Sequence, residues 1–378
     1  MTRSLLVIQD SLDFGGHEAM FLRFLPALVD SGAYSRIAMR FPVGNARLEE
    51  RLRPFGSERF EARGWGFYKR RAEPYLAGFR RNYARAFRDL LAAERSDAVL
   101  LIQGRIENCA VPMLAAPADS FLISYVPMAH RMEELGRASV PGDTVRRRLY
   151  RRPDRFIVPG HAVAAQVARA GGRSPVSVVE NVVDPPSSSG RDVARVAMGL
   201  DRDARVALFL GRLDVRQKGI DTLLASIRRH AERLGGWTFL FIGAGEGTAE
   251  CDRLRGELHG RVEIRCVPWT ERPQEALAAA DLLLMPSRWE GVPLVMLEAM
   301  GHGLPILASD IDVFRDYLPD ASRIDFATVD LPSAMTLVIE PERADLYRLF
   351  ARKRLVESSL ARSSERFVEA LLPEGRHA

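Results

Sequence analysis

Pro286-Ser287-Arg288-Trp289-Glu290-Gly291-Val292-Pro293-Leu294-Val295-Met296-Leu297-Glu298-Ala299-Met300 follows an apolar run from Asp281 to Met285. That run reads as a buried strand, ended by Pro286 and Ser287. Gly291 gives a turn, Pro293 suits the first position of a helix, and Gly301 and Gly303 stop it. Glu290 therefore sits on a strand-to-helix turn, and Glu298 lies further along a helix face that can look back at it. N–H groups of Gly291, Val292 and Leu294 at a helix start can bind an anion. A nearby carboxylate can accept hydroxyl hydrogen bonds. The combination suits a ligand that is part phosphate and part sugar; two exposed glutamates on an ordinary turn are the plain alternative.

A second segment supports the ligand reading. Ala207 to Leu210 is a strand, and Gly211-Arg212-Leu213-Asp214-Val215-Arg216-Gln217-Lys218-Gly219 leads from it into a helix. Arg212 and Lys218 then share one loop at the carboxyl end of a strand, where ligands bind in open parallel sheets. Two cations there can neutralise a diphosphate without a metal. The chain has only three lysines, Lys69, Lys218 and Lys353. A lysine in so arginine-rich a chain suggests a place where a compact ammonium fits.

Outward from these loops, strands are expected near 4–9, 35–40, 97–102, 120–126 and 154–158. A second set is expected near 205–210, 237–242, 261–267, 281–285 and 305–308. Strands alternating with helices predict parallel sheets covered on both faces. Pro185-Pro186-Ser187-Ser188-Ser189-Gly190 has linker composition. The fold class is α/β, with two Rossmann-like doubly wound domains facing a cleft. The N-terminal domain spans 1–184 plus a C-terminal crossover helix over about 355–378, and the C-terminal domain spans 185–354. The last helix is expected over about 346–371. The chain's 378 residues, 47% of them hydrophobic, suffice for two cores.

No stretch approaches the ~20 apolar residues of a membrane span, and Ser4 to Gln9 reads as a strand rather than a signal peptide. Cys109, Cys251 and Cys266 have no metal-ligand spacing and read as reduced structural thiols in the cytoplasm. Residues 1–190 carry 28 Lys plus Arg against 20 Asp plus Glu, and the remainder 26 against 29. Phe79, Tyr83, Phe87, Leu90 and Leu91 recur at helical spacing among Arg80, Arg81, Arg85 and Arg88. Such a helix either lies on an anionic membrane at the inner face or packs its stripe into a core. No motif speaks for nucleic acid.

Gly211-Arg212-Leu213, Gln217-Lys218-Gly219-Ile220-Asp221 and Glu290 with Glu298-Ala299-Met300 resemble the retaining GT-B glycosyltransferases of family 4. Phe14-Gly15-Gly16-His17-Glu18, Val178 to Asp184, and Phe241-Ile242-Gly243-Ala244-Gly245-Glu246 resemble further family segments in order. The resemblance runs from about residue 4 to 370 and is strongest over 205–310.

It implies transfer of a sugar from a nucleotide-diphosphate donor to an acceptor hydroxyl with retention, in glycan, glycolipid or natural-product synthesis. No cofactor or metal is implied. Arg212, Lys218, Glu290 and His130 are the implied catalytic residues, with His17 and His161 as rivals to His130. Gly15, Gly16, Gly243, Val267, Gly291, Val292, Pro293, Leu294 and Glu298 are the implied donor contacts. The partners would be the nucleotide sugar and a sugar, glycolipid or small-molecule acceptor. An inactive nucleotide-sugar-binding partner subunit and a GT-B-like epimerase are the alternatives. The family's glycine is lost at Asn181-Val182-Val183-Asp184. Ile311 to Asp316 replaces its glycine pair and glutamate, so sugar identity is not inherited.

Overall fold

Leu5-Leu6-Val7-Ile8, Val99 to Ile102 and Phe239 to Ile242 are apolar at every position, as strands must be when helices cover both faces of a sheet. The computed structural model describes residues 3–136, 140–186, 190–270, 272–356 and 358–373. It divides into two units: Met1–Val182 with Ser358–Ala378, and Val183–Glu357. The division thus falls two residues before the expected 184, and the return falls at Ser358 rather than 355. Ser187 to Ser189 of the expected linker and residues 374–378 of the expected crossover lie outside the described residues.

Unit 1 contains β1 (Ser4–Gln9), β2 (Arg36–Pro42), β3 (Phe60–Trp65), β4 (Ala98–Ile102), β5 (Phe121–Tyr125), β6 (Arg155–Val158) and β7 (Val176–Val178). They form one parallel sheet in the order β3-β2-β1-β4-β5-β6-β7. The direction of winding reverses between β1 and β4, with Leu5 opposite Ala98. Helix Leu360–Leu371 belongs to this unit. Phe367 stacks on Phe24 at 5.0 Å and meets Phe21 and Tyr125 edge-on. Tyr34 donates to Leu371 O at 2.6 Å, and Arg155 donates to Ala370 O and Leu372 O.

Unit 2 contains β8 (Arg205–Leu210), β9 (Trp237–Ile242), β10 (Glu263–Val267), β11 (Leu282–Met285), β12 (Ile306–Ser309) and β13 (Arg323–Ile324). Its parallel sheet runs β10-β9-β8-β11-β12-β13, reversing between β8 and β11. One side is sealed by Leu223 and Ile227 from helix Ile220–Arg229 and Leu254 from helix Thr248–Glu257, against Phe209 and Phe241.

Four expectations need correction. β3, β7 and β13 were not expected. The last helix is two, Pro341–Val356 and Leu360–Leu371, and Ser359 caps the second by accepting the Arg362 N–H. Pro293 is the N-cap of helix Leu294–Gly301 rather than its first residue: its ψ of 130° is extended. The helix expected over 79–91 runs Arg81–Glu94 and buries Tyr83, Phe87 and Leu91. Phe67 stacks on Tyr83 at 4.9 Å and Trp65 meets it edge-on. Tyr83, Phe87 and Leu91 of the stripe are thus packed into the core, while Phe79 stays exposed.

Candidate functional site

In unit 2 the loops after β8 and β11 flank the point where strand order reverses, which is the ligand crevice of a doubly wound sheet. They touch backbone to backbone. Gly219 has φ +62, and a Cβ there would lie 2.1 Å from Pro286 O. Arg288 N–H donates to Gln217 O at 2.8 Å, and the Arg288 guanidinium grips both oxygens of Asp221 at 2.8 Å. Burial works against the Asp221 charge, but the Arg288 hydrogen bonds and charge outweigh it and hold this carboxyl below its ordinary range. The neighbouring loop after β9 is equally close: a Cβ on Gly243 would meet Gly211 O at 1.9 Å.

This fixed frame carries a chain of polar contacts. Lys218 Nζ lies 2.5 Å from Glu290 Oε1. Ser287 Oγ donates to the same oxygen at 2.7 Å. Gln217 Nε2 donates to Glu290 Oε2 at 3.3 Å, while its Oε1 accepts from Arg212 Nη2 at 3.0 Å. The Gln217 amide thus joins the guanidinium to the carboxylate, a pairing that needs one acceptor and one donor end. Asp214 accepts from the Gln217 N–H at 2.7 Å and pairs with Arg212 at 3.2 Å. Glu290 is buried at 4% exposure, whereas the Arg212 side chain is 63% exposed. Arg212 is therefore the cation presented to solvent, and Lys218 the one held in reserve on a carboxylate.

Helix Leu294–Gly301 starts beside this cluster. Its first N–H groups have no carbonyl within the helix to bond. Gly291 and Val292 are buried ahead of it, and half-buried Glu298 stands in its second turn. Gly243 N–H donates to Val267 O, tying those two expected positions together at the ends of β9 and β10. Arg212, Lys218, Glu290, Gly291 to Leu294, Glu298, Gly243 and Val267 thus all lie at the carboxyl ends of one sheet. Among the described residues, no group of three or more His, Cys, Asp or Glu side chains gathers to hold a metal ion. Gln217, Ser287 and the Arg288–Asp221 pair were missed by the sequence reading, although Gln217 stands in the quoted motif.

Gly15, Gly16 and His130 lie in unit 1. Gly15 is the N-cap of helix Gly16–Asp30. His130 is buried after β5, with Nδ1 3.8 Å from Glu134 Oε2. At the end of β1, Asp10 is fully buried and accepts from the Cys109 N–H at 2.8 Å and the Asn108 amide at 3.4 Å. This holds Cys109 at φ +58 in the loop after β4. Burial pushes the Asp10 carboxyl up to about 6.

Fold and site together define a two-domain, doubly wound protein whose second unit carries a crevice at its reversal point, lined by the linked Arg212, Gln217, Lys218 and Glu290 side chains. The family model for glycosyl transferases group 1 matches residues 204–336, and that for glycosyltransferase family 4 matches residues 14–186. The chain belongs to the GT-B glycosyltransferases of that family. It is 31% identical over 187 residues to the phosphatidyl-myo-inositol mannosyltransferase of Mycolicibacterium smegmatis, covering 47% of this chain and 46% of that protein. It is 27% identical over 172 residues to the Escherichia coli lipopolysaccharide glucosyltransferase WaaG, covering 46% and 43%. The match thus spans about half the length of these curated relatives. Among solved structures, Anabaena HepE in complex with UDP and glucose superposes with a TM-score of 0.73 at 18% identity, covering 98% of this chain and 99% of that one. A structure of WaaG superposes at 0.68 and 16% identity, covering 97% and 99%.

Proposed function

We propose that the chain transfers a sugar from a nucleoside diphosphate donor to an acceptor hydroxyl, with retention of anomeric configuration and without a metal ion. The observation that carries this is the Arg212–Gln217–Glu290–Lys218 chain of contacts at the reversal point of the second sheet. Arg212 and Lys218 neutralise the charge that grows on the departing diphosphate. Lys218 is 17% exposed and already desolvated in part, so its charge acts in a low dielectric. Glu298 accepts the ribose hydroxyls. The N–H groups of Gly291, Val292 and Leu294 hold the diphosphate and sugar beside Glu290, and Gly243 and Val267 border the base. Glu290 is engaged by Lys218 and Ser287, so it orients the cation rather than attacking the sugar. Attack from the leaving-group side follows: the acceptor oxygen bonds the anomeric carbon, the bond to the diphosphate breaks, and the acceptor proton passes to the departing phosphate oxygen.

The relatives' names, a phosphatidylinositol mannosyltransferase and a lipopolysaccharide glucosyltransferase, favour a glycolipid or glycan acceptor. Tyr75, Leu76 and Phe79 are exposed in a segment that also carries exposed Arg70, Arg71 and Arg81. They are the surface that would rest on an anionic membrane bearing such an acceptor. A nucleotide-sugar panel tests the reading by thermal shift and by release of nucleoside diphosphate under excess chelator. Donor at a hundred times its Kd stabilises the protein by about 2.7 kcal/mol. Absence of both shift and release across the panel rejects the reading; release only with added magnesium or manganese rejects its metal-free part.

A further inference from the structure

The amino ends of the second sheet border a cavity of about 470 Å³. Arg205 opens β8, Asp281 stands directly before β11 and Pro305 directly before β12, and all three line it. The crevice of Arg212 and Lys218 lies at the opposite, carboxyl ends of these strands. Along the six residues of β8 the two are about 17 Å apart, at ~3.3 Å per residue. The cavity has the size of a small-molecule site. Leu277, Leu304 and Ile339 give it an apolar wall.

Three guanidiniums line the cavity: Arg191, Arg205 and Arg348. Asp281 does not neutralise them. Its Oδ1 lies 2.8 Å from Arg191 Nη2, and its Oδ2 accepts from buried Arg195 at 2.7 Å and from the Val206 N–H at 2.7 Å. One carboxylate thus serves two arginines. Arg205 is exposed and makes no ion pair among the described residues. Arg348 is half-exposed and pairs with Asp345 at 2.5 Å. Its stem crosses Gly303, whose φ is +63; a Cβ there would lie 3.1 Å from Arg348 Cγ. His302 Nε2 lies 2.6 Å from Gln274 Oε1, and burial holds this imidazole below its ordinary range, so the cations here are the arginines. Asp203 also lines the cavity, exposed and without an ion pair among the described residues. Such a carboxylate accepts hydroxyl hydrogen bonds.

We infer that this cavity is a second ligand site, remote from the crevice of Arg212 and Lys218, and that it takes a phosphorylated sugar or polyol. Arg205 and Arg348 hold the phosphate by their planar forks. Asp203 accepts the hydroxyls, and the carbon skeleton rests on Leu277, Leu304 and Ile339. Arg191 adds a consequence. It is the first residue of helix Arg191–Ala197, the first helix of unit 2 after the linker. A bound phosphate shares this guanidinium with Asp281, so occupancy bears on how that helix is anchored. None of these residues belongs to the transfer site, so the two readings stand or fall separately.

Titration calorimetry of the full chain tests it with sn-glycerol 3-phosphate, ribose 5-phosphate and glucose 6-phosphate. Inorganic phosphate and glucose serve as the separate halves of such a ligand. The expected result is at least one phosphorylated polyol bound about tenfold or more tighter than either half, the size of one added charge-assisted hydrogen bond. Arg205→Gln and Arg348→Gln, both at exposed side chains, should each weaken that binding about tenfold or more for the same reason. Arg212→Ala should leave it unchanged. Thermal melts establish that each variant is folded. If none of the three compounds binds tighter than inorganic phosphate, the assignment is overturned. Wild-type affinity in folded Arg205→Gln and Arg348→Gln overturns it as well. Binding that is lost in Arg212→Ala and kept in the other two variants places the compound at the carboxyl ends of the sheet and overturns it too.

Discussion

Replacing Asp10 by Asn should change how stability depends on pH, and the structure sets the size. Burial raises the Asp10 carboxyl from 3.8 to about 6, against the opposing pull of the Cys109 N–H, the Asn108 amide and Lys69, while Glu73 adds to the rise. A carboxyl with a raised pKa holds its proton more tightly folded than unfolded. It therefore stabilises fully below the unfolded value, and that stability is lost as pH climbs through about 6. The whole span is worth about 3 kcal/mol, of which about 1.4 kcal/mol falls between pH 5 and pH 8. Asn keeps an oxygen for the Cys109 N–H but cannot ionise. Relative to wild type, the variant should thus gain about 1.4 kcal/mol between those two pH values. Urea unfolding at several pH values, read by hydrogen exchange of β1 and β4 peptides, confines the measurement to unit 1. A constant offset from the weakened Asn108 contact would not disturb the slope. Parallel pH curves for the two proteins would refute the reasoning and mean that Asp10 titrates alike folded and unfolded.

Arg212→Ala and Lys218→Ala should each lower turnover by about a hundredfold or more, as the loss of a preorganised transition-state donor does. Because Glu290 reaches the reaction through Lys218, Glu290→Gln in the Lys218→Ala background should cost little beyond the single change; additive losses in a double-mutant cycle would separate the two. Glu298→Gln should mainly raise donor KM, since the ribose is bound alike in ground and transition states. A 2′,3′-dideoxyribose donor should erase most of that penalty, and an undiminished penalty with it would remove the ribose from this helix.

The strands missed in the sequence share a position. β3 and β7 are the two edges of the first sheet and β13 is an edge of the second. An edge strand is covered less and can be short. Phe60-Glu61-Ala62-Arg63-Gly64-Trp65 buries only Phe60, Val176–Val178 buries none of its three residues, and Arg323–Ile324 has two. None offers the apolar run that exposed the central strands. The site divides in the same way. The loop residues Arg212, Lys218 and Glu290, and Glu298 on the helix after them, could be picked out because each follows a strand that could be recognised. That Lys218 and Gln217 both rest on Glu290 was not, since these contacts join positions more than seventy residues apart.

The return of the chain to unit 1 sets an order of events during synthesis. Unit 2 is one uninterrupted stretch of 175 residues, from Val183 to Glu357. Unit 1 is not: Phe21, Phe24 and Tyr125 wait for Phe367, and Tyr34 and Arg155 wait for carbonyls at 370–372. At a ribosomal rate of about 5–20 residues per second, the first-made half stands for roughly 9–35 s with that apolar surface uncovered. The unit that is translated first is thus the last to be completed. A nascent chain halted before Phe367 would present a finished second unit and a first unit still dependent on chaperones.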